Sequence, residues 1–137
     1  MNVRRGIFLA MLVGLCAAPG TARAASSLDG TKWQITITPD AAAIQAGEKP
    51  SEDTLIFQEG QVTSTECVPY GFEHSSYTMS QAEATPTFET EQVSEKEGTM
   101  TWWGQVVGDA INGTAVWTKK NGDVLHSTFT GKRAQSS

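Results

Sequence analysis

The sequence predicts an all-β domain closed as an eight-stranded up-and-down antiparallel barrel, with a two-sheet sandwich as the alternative. Three observations carry this. Period-two alternation of apolar and polar residues recurs from residue 31 onward, without sustained helical periodicity. Tight-turn signals such as Glu59-Gly60, Gly108-Asp109 and Asn121-Gly122 separate the alternating runs. Sequential hairpins favour closure into a barrel, which covers the dry face of every strand and removes both edges. A sandwich usually needs longer crossovers.

The clearest strand covers 31–38, where Trp33, Ile35 and Ile37 share one face and Lys32, Gln34 and Thr36 the other. Pro39 ends it. A loop follows over 40–51, in which the alanine-rich 41–46 is long enough for a helical turn only. Strand two is 53–58, with Leu55 and Phe57 inward. Strand three is 61–67. Pro69-Tyr70-Gly71 breaks the pattern. Strand four, 75–81, places Tyr77 and Met79 on one face. Strand five, 87–94, turns Phe88, Thr90, Gln92 and Ser94 one way and Glu89 and Glu91 the other. Strands six, seven and eight cover 99–107, 111–118 and 124–132. The last two are joined by Asn121-Gly122, the strongest hairpin signal in the chain, because a type I′ turn needs positive φ at both central residues. The tail 134–137 is expected to be loose.

Residues 1–24 read as an export signal. Arg4 and Arg5 precede an apolar run over 7–18, and Ala22-Arg23-Ala24 is a small-x-small cleavage site. The run is shorter than the roughly 20 residues of a bilayer span. Cys16 follows Leu15 where lipoprotein processing needs a small residue, so Cys16 leaves with the signal. The expected mature chain is a single domain over 25–137, periplasmic or secreted. Of the ten basic residues, Arg4, Arg5 and Arg23 leave with the signal; seven then face fifteen acidic ones, a net charge of −8. That balance disfavours nucleic acid and anionic lipid as partners. The mature chain keeps Cys67 alone, so no internal disulfide supports it and a hydrophobic core must.

Catalytic and metal signatures are weak. His74 and His126 lie apart, whereas a zinc site needs three or four converging ligands. Cys67 needs a base to act as a nucleophile, and His74 lies seven residues on, across the Pro69-Tyr70-Gly71 break in the pattern. A half-buried apolar thiol is the simpler expectation. Glu89 and Glu91 face water by parity rather than a cleft. Asn112-Gly113-Thr114 matches a glycosylation sequon inside a strand. No cofactor motif is present, and the expectation is a protein without enzymatic activity.

The inward row is the informative feature. Trp33, Phe57, Phe88, Gln92, Trp102, Trp117 and Phe129 are its candidate ligand-binding residues. Gly104, Gly113, Ser94 and Ser127 lie among them as small residues that leave space, and Gln92, Thr90 and Ser64 offer polar groups to orient a guest. An eight-stranded barrel is just wide enough to be filled by side chains or to hold one small ligand. Both readings stand at this level: interdigitated packing, or an apolar cup with a few polar groups. Trp103 points outward by parity and offers an aromatic anchor for a partner.

Gly30-Thr31-Lys32-Trp33 resembles the Gly-x-Trp start of calycins, the lipocalin and avidin superfamily, with two residues between where that family has one. The resemblance implies a basic side chain from the last strand over that tryptophan, and Arg133 has the inward parity for it. The ordered series Asp53-Thr54-Leu55-Ile56-Phe57, Gly71-Phe72, Tyr77-Thr78, Phe88-x-Thr90, Ser94, Gly98, Trp102-x-Gly104, Gly108-Asp109-x-Ile111-x-Gly113-Thr114, Trp117 and Phe129-x-Gly131 resembles small uncharacterised bacterial secreted proteins of lipocalin-like appearance. It implies the barrel and export, and carries over no activity. The functional expectation is a non-enzymatic exported protein that binds a small apolar or amphipathic molecule. The alternative is a protein-binding module or inhibitor of the cell envelope.

Overall fold

Among the described residues every strand pairs with its sequence neighbour, and the last closes on the first. The computed structural model describes residues 27–81 and 85–135; the expected export signal, 1–24, lies outside them. The strands are β1 (Thr31–Pro39), β2 (Ser51–Gln58), β3 (Gln61–Ser64), β4 (Ser75–Ser80), β5 (Thr87–Ser94), β6 (Gly98–Val107), β7 (Ala110–Thr118) and β8 (Val124–Arg133). They form one closed antiparallel barrel in the order β1-β2-β3-β4-β5-β6-β7-β8. The sandwich alternative is thereby excluded.

Closure depends on the seam between β1 and β8, where Trp33 pairs with Arg133, Ile35 with Gly131, Ile37 with Phe129 and Pro39 with Ser127. Opposed residues in an antiparallel pair share a face, so the inward row continues across the seam. Burial alternates along β1, β2 and β5 as expected: Trp33, Ile35, Leu55, Phe57, Phe88, Thr90, Gln92 and Ser94 are buried, while Glu89 and Glu91 are exposed. β3 and β4 form the narrowest pairing, with only Gln61–Ser76 and Val62–Ser75 opposed.

Two local expectations, the end of β3 and the loose tail, are corrected, and the helical turn over 41–46 is present. β3 stops at Ser64 rather than running on to residue 67, because the Asp53 carboxylate takes the N–H of Glu66 at 3.0 Å and the chain turns there. A short 3₁₀ turn, Val68–Tyr70, follows. The segment 41–46 holds a helix, α1 (Ala41–Gln45), because Asp40 caps it: its Oδ1 accepts from the N–H of Ala43 at 2.8 Å. Ala43 is buried, so α1 lies on one end of the barrel beside β1 and β8. Ala134, placed in the loose tail, donates its N–H to the carbonyl of Lys32 at 2.8 Å and prolongs the seam.

The two barrel ends differ. At one end the chain leading into β1 forms a plug. Leu28 is buried, and its N–H donates to the Tyr77 hydroxyl at 2.9 Å. That hydroxyl donates to Asp29 at 2.7 Å, and Asp29 accepts from the N–H of Gly60 in the β2–β3 turn at 3.0 Å. The plug thus ties the β1 approach to β4 and to the β2–β3 turn. The other end carries α1, the 3₁₀ turn and the β5–β6 and β7–β8 turns.

Candidate functional site

The barrel interior is filled in one half and hollow in the other. The filled half is an aromatic stack. Phe57 meets Tyr77 edge-on with ring centroids 4.9 Å apart and Phe88 at 5.1 Å, and Trp102 meets Phe129 at 5.4 Å. Trp33, Leu55, Val62 and Ile111 complete it, all buried.

The glycines in this half mark close approach rather than free volume, which corrects the expectation from sequence. A Cβ on Gly104 would sit 2.5 Å from Cε1 of Phe88 and 3.0 Å from Cζ of Phe129. A Cβ on Gly113 would collide with the backbone of Trp103 and Gly104 on the paired strand. Only glycine lets these rings and strands come so near.

A cavity of about 350 Å³ occupies the other half, at the end that carries α1 and the 3₁₀ turn. Its apolar wall is Ile37, Phe72, Met100, Trp102, Trp117 and Leu125. Polar groups enter from Ser51, Asp53, Cys67 and Ser127, and Glu48, Lys49, Glu66 and Tyr70 also face it. β1, β2, β6, β7 and β8 supply the wall, and the segment after β3 supplies Glu66, Cys67, Tyr70 and Phe72. Period-two alternation puts Ile37, Asp53, Met100, Trp102, Trp117, Leu125 and Ser127 on inward positions at the same end of their strands.

Asp53 organises the polar side. It is only 5% exposed, faces inward, and accepts four hydrogen bonds. Oδ1 takes the N–H of Thr54 at 2.6 Å, the N–H of Glu66 at 3.0 Å and the Thr65 hydroxyl at 3.2 Å; Oδ2 takes the Ser64 hydroxyl. The carboxylate therefore shapes the turn that brings Cys67 to the cavity. Burial pushes the Cys67 thiol up from 9.0 to about 11; hydrogen bonding to Ser64 opposes this, and the charges of Asp53 and Glu66 reinforce it. A thiol so placed stays protonated at neutral pH and is a poor nucleophile. His74 is exposed and does not line the cavity that Cys67 lines.

Of the seven candidate ligand-binding residues, the structure brings Trp102 and Trp117 to the cavity. Trp33, Phe57, Phe88 and Phe129 belong to the filled half. Gln92 is buried beside them, with its amide held by Trp102 and by the Val62 carbonyl. The other polar groups expected to meet a guest are also engaged internally: the Thr90 hydroxyl donates to the Ser76 carbonyl at 2.6 Å, and Ser64 is held by Asp53. Among the small residues, Ser127 does line the cavity, whereas Ser94 donates to the Tyr70 carbonyl at 2.7 Å.

Sequence reasoning missed Met100, Phe72, Asp53 and Cys67 as wall residues. Parity alone gives Met100 and Asp53 as inward, since they alternate with Trp102 and Leu55. Phe72 and Cys67 sit in irregular chain, where alternation carries no information. Arg133 stands opposite Trp33 in the seam, as the calycin resemblance implies, but its side chain is exposed. The cation–π pair found among the described residues is instead Lys119, whose Nζ lies 4.9 Å from the Trp117 ring centroid.

Among the described residues, no group of three or more His, Cys, Asp or Glu side chains is arranged to hold a metal ion, and no helix is long and apolar enough to cross a membrane. Comparison with known proteins finds no matching family model, curated protein or solved structure.

Proposed function

We propose that this protein is a non-enzymatic, exported barrel of calycin type that binds a small apolar or amphipathic molecule in the hollow half of its interior. The observation that carries the reading is the cavity of about 350 Å³, walled by Met100, Trp102, Trp117 and Leu125. Its size lies in the range of small-molecule sites, roughly 300–1,000 Å³, and its pattern of apolar wall with a few polar groups is the usual one. The export component rests on the sequence of residues 1–24.

Native mass spectrometry of the protein purified from its own host tests the binding reading, with a co-purifying mass as the expected result. Ser127→Phe should abolish that mass while the protein stays folded, because the new ring enters the cavity. An unliganded protein that also fails to take up any apolar probe would refute the reading. Export is tested separately: the N-terminus of the exported protein should read Ala25-Ser26-Ser27.

A second reading is an envelope protein-binding module. It draws on Trp103, which is 38% exposed on the outer wall between Glu89 and Thr114, and on exposed Val68 and Tyr70 at the cavity end. Trp103→Ser should then remove a partner captured from the envelope without affecting small-molecule uptake.

A further inference from the structure

The cavity is acidic as well as aromatic. Three carboxylates line it, those of Glu48, Asp53 and Glu66, against the single ammonium of Lys49. Asp53 is the deepest of them. All four of its hydrogen bonds come from neutral donors, two backbone N–H groups and two hydroxyls. Such a shell satisfies the carboxylate geometrically but does not cancel its charge. No cation is paired with Asp53 among the described residues.

Oδ1 accepts three bonds and Oδ2 only one, so Oδ2 keeps capacity for a second donor. A charge beside a low-dielectric wall projects its field into the cavity. An indole face attracts a cation, and the Trp117 ring on the cavity wall already has the Lys119 ammonium 4.9 Å from its centroid.

We propose that the natural occupant is a cationic amphiphile: an alkyl or aryl body carrying an ammonium head. The proposal rests on reading the cavity as a ligand site. The apolar body packs against Met100, Trp117 and Leu125, and the head donates to Oδ2 of Asp53 within the field of Glu66. A carboxylate head in the same position meets charge of its own sign. A neutral alcohol gains the apolar burial without the charge contribution.

Three probes with one chain length separate the contributions: decylammonium and decanoate, each titrated below its micelle concentration, and decanol, titrated below its solubility limit, with Trp fluorescence as the readout. The expected order is decylammonium about tenfold tighter than decanol, and decanol tighter than decanoate. Glu66→Gln should weaken decylammonium severalfold and leave decanol unchanged. Asp53→Asn should do so more strongly, with circular dichroism showing that the barrel remains; Glu66→Gln serves if it does not.

The chain is acidic overall, so attraction of decylammonium to the outer surface needs its own control, which Ser127→Phe provides. Loss of decylammonium binding in that variant supports the proposal, and retention overturns it. Equal affinity for all three probes, or preference for decanoate, overturns the cationic head while the cavity reading stands. Failure of every probe overturns both.

Discussion

Nε1 of Trp102 donates to Oε1 of Gln92 at 3.0 Å inside the barrel, on the border between its filled and hollow halves. The Gln92 amide nitrogen in turn donates to the Val62 carbonyl at 3.4 Å, so the amide bridges β6 to β3 across the interior. One side chain thereby holds the indole that forms part of the cavity wall. Gln92→Leu leaves the indole N–H unpaired in a dry interior, at a cost of about 1–3 kcal/mol. Denaturant melts should show that loss. The double variant Gln92→Leu with Trp102→Phe removes both polar partners and should lose less than the two single changes summed. A neutral Gln92→Leu would mean that the bond contributes nothing.

Gly104 and Ser127 should respond oppositely to enlargement. Gly104 sits against the Phe88 and Phe129 rings, so Gly104→Leu overpacks the filled half and costs about 1–3 kcal/mol or more. Ser127 borders the cavity, and Ser127→Phe has room for its ring. Parallel thermal melts give the comparison. A Gly104→Leu protein with unaltered melting would show that the filled half is not packed as described.

Cys67 should react slowly and only at high pH. With its thiol moved from 9.0 to about 11, the thiolate fraction at pH 8 falls about 100-fold below that of an unperturbed thiol, and alkylation should slow accordingly. The sign for stability follows from linkage. The folded pKa lies above the unfolded one, so the contribution is complete below pH 9 and is lost as pH rises towards 11. Burial and its bond to Asp29 also push the Tyr77 phenol up, which adds to the alkaline loss. Cys67→Ala should flatten the first part of the decline between pH 9 and 11. Rapid alkylation of the folded protein at pH 8 would contradict this placement.

Lys119→Ala should cost more than Arg133→Ala. The Lys119 ammonium lies 4.9 Å from the Trp117 centroid, both side chains being half-buried, a contact of about 0.5–2 kcal/mol. Arg133 shares the seam with Trp33, yet its side chain is exposed, and its backbone N–H bond to Asp109 survives truncation to alanine. Paired melting curves decide it, and Trp fluorescence should shift in the lysine variant. A larger loss in Arg133→Ala would restore the calycin-type contact over Trp33.

Strand positions and inward faces were legible in the sequence because a strand writes its two environments with period two. Trp33-x-Ile35-x-Ile37 and Phe88-x-Thr90-x-Gln92-x-Ser94 follow from that rule alone. α1 was legible only as a turn, since its stability comes from the Asp40 cap and the burial of Ala43. The end of β3 was not legible, because what stops it is a carboxylate from the neighbouring strand.

The candidate site divides in the same way. Alternation says which side chains point inward, and on that basis Trp33, Phe57, Phe88, Gln92, Trp102, Trp117 and Phe129 are equivalent. It carries no information about height along the barrel axis, which depends on the register of all eight strand pairs taken together. Register places Phe57, Phe88 and Phe129 at one level, where they fill the lumen against Gly104, and places Trp102 and Trp117 at another, where Met100, Leu125 and Ser127 leave it hollow. The sequence by itself determined most of the strands and their dry faces and favoured a closed barrel over a sandwich, because these follow from local periodicity and the need to bury it. Only the tertiary structure decided which half of the interior is empty and that Asp53 and Cys67 border it, because void volume and the path of irregular chain arise from contacts between residues distant in sequence.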